Sequence, residues 1–149
     1  MGFVSNSSSM AHIVRFPKVP ESPEEIQNLL KCEAKDAESI FKEILEQHPN
    51  HIIKIITEMV DEAEWKFYDD YWQKEWKLDK NGDKIGLAKM QAERTSKILI
   101  KIHEWFNNLM EKKGDGILYY FEYDDDSSDM RWHDGDVFGD LIRWNFSHH

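Results

Sequence analysis

Two groups of side chains have the types and spacing to hold a cation. Asp79-Lys80-Asn81-Gly82-Asp83 sets acidic or amide oxygens at alternate positions, the pattern that surrounds a hard ion such as Ca²⁺. The rest of that loop departs from the pattern. Lys84 stands where a sharp turn needs Gly, Met90 stands where a bidentate carboxylate should be, and Glu93 falls three residues too late. Asp79, Asn81 and Asp83 are therefore better read as caps of a polar turn. The second group is Asp124, Asp125, Asp126, Asp129, His133, Asp134, Asp136 and Asp140, whose carboxylates and imidazole suit Mg²⁺ or Mn²⁺ and would allow metal-dependent hydrolysis. Three adjacent Asp on a turn cannot all converge on one ion, so a solvated acidic loop is preferred, with His133 and the 79–83 oxygens kept as minor metal candidates.

Other titratable residues carry weaker signals. His48 and His51 flank Pro49, and His103 lies beside Glu104 and Trp105 within a helical pattern. A lone histidine on a helix is more often structural than a general base. The chain contains no phosphate-binding Gly loop, nucleophile elbow or zinc-protease helix, so a non-catalytic protein without a cofactor is expected.

The acidic group sits in a distinctive stretch. Residues 115–149 hold nine acidic side chains against two arginines, with eight aromatic rings between them, in a chain whose formal charge is −10. Carboxylates beside aromatic rings suit docking of a basic protein. The expected contact set is Asp124, Asp125, Asp126, Asp129, Asp134 and Asp136, with Tyr120, Tyr123 and Trp132 as anchors. An inhibitor, immunity or anti-defence type of protein, blocking a nucleic-acid-binding partner by mimicking phosphates, fits this chemistry. The net charge disfavours direct contact with nucleic acid or an anionic membrane surface. A metal-dependent hydrolase and a purely structural or homo-oligomeric component are the alternatives.

The elements that must position these groups follow from periodicity. Residues 1–11, with Ser5-Asn6-Ser7-Ser8-Ser9, read as a flexible tract, and 12–149 as one globular domain, helical over 22–113 and β-rich over 115–149. Ile13 to Phe16 suggest a short edge strand or extended arm stopped by Pro17 and Pro20. Ser22-Pro23-Glu24-Glu25 is a strong helix start. Apolar residues at Ile26, Leu29, Leu30, Ala37, Ile40, Phe41, Ile44 and Leu45 then continue one or two helices, with Asp36 a candidate cap of the second. The stripe Ile52, Ile56, Met59, Ala63, Phe67 predicts a helix over 51–78. Trp65, Tyr68, Trp72 and Trp76 widen its apolar face. Leu87, Met90, Ile98, Ile102, Trp105 and Leu109, with Leu99 alongside, predict a further helix ending at Lys112-Lys113-Gly114.

Alternation at Ile117 to Tyr123 and Ile142 to Phe146, with Asp134-Gly135 as a hairpin turn, predicts strands. The fold class is α+β, mainly helical: an antiparallel bundle of three or four helices followed by a small C-terminal antiparallel β-meander. A single cysteine, Cys32, rules out an internal disulfide and fits a cytoplasmic setting. No apolar run is long enough to span a bilayer.

Overall fold

A computed structural model describes residues 9–68, 74–124 and 130–148. The chain is α+β and mainly helical. In order, the elements are β1 (Ser9–Phe16), α1 (Pro23–Leu30), α2 (Ala34–Gln47), α3 (His51–Lys66), α4 (Leu87–Lys113), β2 (Ile117–Asp124), a short α5 (Met130–Asp134), a 3₁₀ turn at Asp136–Phe138, and β3 (Arg143–His148). They fall into two compact units, Met1–Ile55 with Lys113–His149, and Ile56–Lys112. No helix among the described residues is long and apolar enough to cross a membrane.

The first unit is built on a three-stranded antiparallel sheet in the order β2-β1-β3. The N-terminal strand is its centre, not an edge, and begins at Ser9 within the tract read as flexible. Pro17 and Pro20 lie just past the ladder and cost it no hydrogen bond. β1 pairs Phe16 with Ile117 on one side and Ile13 with Trp144 on the other, so two C-terminal strands flank it and do not pair with each other. A central strand needs apolar residues on both sides. Accordingly Val14 and Phe16 are buried on one face, and Ala11 and Ile13 on the other.

The Val14 side of the sheet carries the core. Tyr119 and Phe121 join Val14 and Phe16, and Ile26 of α1, Ala37, Ile40 and Ile44 of α2, and Val137 and Phe138 close over them. Phe138 is fully buried, its ring 4.7 Å from that of Phe121, a burial worth about 2–3 kcal/mol. The expected hairpin turn at Asp134-Gly135 is instead the exit from α5. Gly135 takes φ 82° and leads into the 3₁₀ turn that delivers Phe138 to the core.

Helix boundaries follow capping chemistry. Ser22 accepts the Glu25 N–H at 3.3 Å, Pro23 opens α1, and Lys31 ends it in the left-handed conformation with its N–H on the Gln27 carbonyl. The Glu25 carboxylate reaches back to the Glu21 N–H at 2.7 Å, which, with Lys18, holds it below the usual carboxylate range. Asp36 does not cap α2: Glu33 is the capping residue, and Asp36 is buried one turn later. Gly116 is a close-approach glycine. A Cβ there would stand 2.6 Å from Arg15 Nε and 2.8 Å from the Phe16 carbonyl oxygen, and Arg15 Nε donates at 2.7 Å to Lys113 O, capping the end of α4.

In the second unit α3 stops at Lys66, short of the expected 78. The Arg94 guanidinium donates to the carbonyls of Glu64 and Phe67, at 2.9 and 3.1 Å, taking acceptors that a continuing helix would have used. The buried stripe of α3 is Ile55, Met59 and Ala63, and Ile56 is 37% exposed. Leu78 bridges Lys84, and Ile85 N bonds Lys77 O, so the polar break is a small hairpin before α4. α4 runs over the expected residues and buries Met90, Ile98 and Leu109, with Leu99 left exposed.

Candidate functional site

Polar residues on the buried stripe of α2 mark the most chemically distinctive region of the first unit. Asp36, Glu43 and Gln47 share the helical phase of Ala37, Ile40 and Ile44, so each is carried towards the sheet. The Tyr123 hydroxyl, from the end of β2, donates to Glu43 Oε2 at 3.0 Å. Burial, against the pull of that bond and reinforced by Glu46, pushes the Glu43 carboxyl up to about 7. The Tyr123 phenol is pushed well above its ordinary value by the same burial and by Glu43. The Tyr123 ring meets the Trp132 ring edge-on at 4.9 Å.

One helical turn or more towards the start of α2, buried Asp36 receives the Arg131 guanidinium at 3.3 Å. Arg131 and Trp132 both belong to α5, so α5 is held to α2 by the Asp36–Arg131 ion pair and to β2 by the Tyr123–Trp132 contact. Burial, then Asp36, pushes the Cys32 thiol up, which disfavours the nucleophilic thiolate.

A second polar cluster lies on the same face of β1 and β3. His12 is fully buried, and its Nδ1 is hydrogen-bonded to Asn145 Oδ1 at 2.6 Å. Its ring is 6.3 Å from that of Tyr123 and 6.0 Å from that of Phe138. Arg143 donates to the Gly139 carbonyl at 3.0 Å and lies 3.7 Å from Asp136. Gly135 lets the chain pass over both: an added Cβ would stand 2.9 Å from the His12 ring and 2.9 Å from Arg143 Nε.

The histidines elsewhere are structural in setting. His48 and His51 stack at 4.9 Å with nearly parallel rings, and His48 Nδ1 is hydrogen-bonded to the Tyr119 hydroxyl at 3.2 Å. Burial, with His48 and Lys113 nearby, pushes the His51 imidazole down, and burial pushes the Tyr119 phenol up. His103 is exposed and bonded to Asn107.

Among the described sequence-derived contact residues, Tyr120 and Tyr123 lie on opposite faces of the sheet. Tyr120 is 5% exposed, points to the sheet face opposite Tyr123, and donates to Glu122. Tyr123 and Trp132 are half-buried and engaged with each other; Asp134 and Asp136 are exposed. Asp125, Asp126 and Asp129 lie outside the described residues, as do the side chains of Asp124 and His133. Asp79 Oδ1 accepts the N–H groups of Asn81 and Asp83 at 2.8 and 3.0 Å, the work of a turn cap. Among the described residues no three His, Cys, Asp or Glu side chains are grouped to hold a metal. Trp65 and Tyr68 are exposed and lie against each other, Trp76 lies under the ammonium groups of Lys74 and Lys84, and Trp72 is outside the described residues.

Charge divides unevenly between the units. The sheet-bearing unit has seventeen acidic and nine basic residues, −8, whereas Ile56–Lys112 has twelve and ten, −2. Comparison with protein-family models, with curated proteins and with solved structures gives no match.

Proposed function

We propose that this chain is a non-catalytic acidic binding module that docks a basic protein partner through its sheet-bearing unit, in the manner of an inhibitor or immunity-type protein. The observation that carries this reading is the concentration of −8 of the −10 charge on one unit, with Glu122, Asp134, Asp136 and Asp140 exposed there. Such a field raises encounter rates with a cation-rich surface and discourages nucleic acid. The buried polar groups also favour binding over chemistry: Glu43 is engaged by Tyr123, and Cys32 is held as a thiol. The aromatic contribution is narrower than the sequence implied, because Tyr120 and Tyr123 serve the fold and Trp132 is half-buried.

Affinity capture at about 50 mM and about 500 mM salt tests the reading, since exposed charge pairs are screened over roughly 10 Å at 0.1 M. Basic proteins should be retained at the lower salt, lost at the higher, and retained less by D134N/D136N/D140N with an unchanged circular dichroism spectrum. Retention indifferent to both salt and these substitutions would overturn it.

A further inference from the structure

We infer that the outer edge of β3 is the docking strip of this module, taking an extended basic segment of the partner as a fourth strand of the sheet; this rests on the acidic-module reading above. The two edges of the sheet are treated differently. On the β2 edge the Gln47 side chain imitates a strand: its Nε2 donates to the Tyr120 carbonyl at 2.8 Å and its Oε1 accepts the Tyr120 N–H at 2.9 Å. At Tyr120, in the middle of that edge, the groups through which another strand would pair are occupied.

The β3 edge has no such cover among the described residues. Arg15 N donates to Ile142 O at 2.9 Å, which fixes the phase of the ladder. With Val14 opposite Arg143 and His12 opposite Asn145, both are non-hydrogen-bonded pairs, so the N–H and C=O groups of Arg143 and Asn145 point away from β1. Neither residue's backbone groups have a partner among the described residues. Asn145 is exposed, and Ile142 at the start of the edge is 51% exposed, giving an apolar contact beside the open donors and acceptors.

Charge selects the occupant. Exposed Asp134, Asp136 and Asp140 lie on the segment leading into β3, and the unit they belong to carries −8. A second copy of this chain would bring that charge against itself, whereas a strand with cationic side chains gains from it. Strand addition supplies affinity through main-chain hydrogen bonds and leaves selection to the alternating side chains.

The probe is an eight-residue peptide of alternating Lys and Val, with a twin N-methylated at every residue so that charge is kept and both hydrogen-bonding edges are lost. On binding at low salt, amide exchange at Arg143 and Asn145 should slow about ten-fold. The Tyr120 amide, already held by Gln47, should not change, and the twin should bind about ten-fold more weakly. Binding without slowed exchange at Arg143 and Asn145, or equal binding of the twin, overturns the edge and leaves the acidic module standing. No binding of either peptide overturns both. Protection of these amides that rises with protein concentration in the absence of peptide assigns the edge to self-pairing and likewise overturns the proposal.

Discussion

Replacing Glu43 with Gln should stabilise the protein at pH 8 and leave it nearly unchanged at pH 4.5. The carboxyl's ordinary value is 4.5, and burial raises it to about 7. The folded state therefore holds this proton more tightly than the unfolded chain. Below pH 4.5 both states are protonated and Glu43 carries no penalty. Between pH 4.5 and 7 stability falls as the unfolded chain ionises first, and above 7 the loss is complete. At about 1.36 kcal/mol per pH unit the difference is at most about 3.4 kcal/mol. Glu43 keeps part of its surface in water, and screening reduces the effect to about 1–2 kcal/mol.

The amide of the Glu43→Gln variant keeps an oxygen for the Tyr123 hydroxyl while removing the ionisation, so urea unfolding followed by tryptophan fluorescence at pH 4.5 and 8 isolates this contribution. Tyr123→Phe is the companion variant. The Tyr123 bond favours the ionised carboxylate, so its removal should cost more at pH 8 than at pH 4.5. A Glu43→Gln stability change of equal size at both pH values, or a gain confined to the acid side, would refute the reasoning.

Gly116→Ala should lower stability by about 1–3 kcal/mol, read by chemical denaturation, because its Cβ meets Arg15 and the Phe16 backbone, which cannot retreat. Gln47→Ala should cost about 1–2 kcal/mol through two lost hydrogen bonds and speed exchange of the Tyr120 amide. Ser22→Ala should cost about 1 kcal/mol by uncapping α1, with Ser22→Asp restoring most of it in the same assay.

The helices were legible wherever capping and period agreed. Ser22-Pro23 announces α1, and the run from Leu87 to Lys113 ends on a glycine with φ 52°. What misled was chemistry supplied from elsewhere in the chain. The apolar pattern continues past Lys66, but Arg94, more than two dozen residues away, takes the carbonyls at the end of α3. Residues 13–16 looked like an edge because a short apolar run between a polar tract and two prolines does not announce two distant partners.

The buried polar groups of the first unit were hidden in the sequence. Asp36 suggested only a helix cap and Glu43 drew no reading, although their phase with Ile40 and Ile44 was the available signal. His12 carried less, since one histidine in a strand says nothing about an Asn 133 positions later.

Because β1 lies in the middle of the sheet, its neighbours are made long after it. Phe16 pairs with Ile117 and Val14 with Arg143, so a nascent chain leaves the ribosome with its most apolar strand exposed on both sides while the whole helical region is synthesised. Closing loops of more than a hundred residues costs roughly 4 kcal/mol of chain entropy and slows assembly. The intervening segment 56–112 is contiguous and can settle first. In the cell, the period of greatest vulnerability to aggregation is therefore the interval between translation of Phe16 and completion of β3, and a chaperone recognising residues 11–16 would act in that interval.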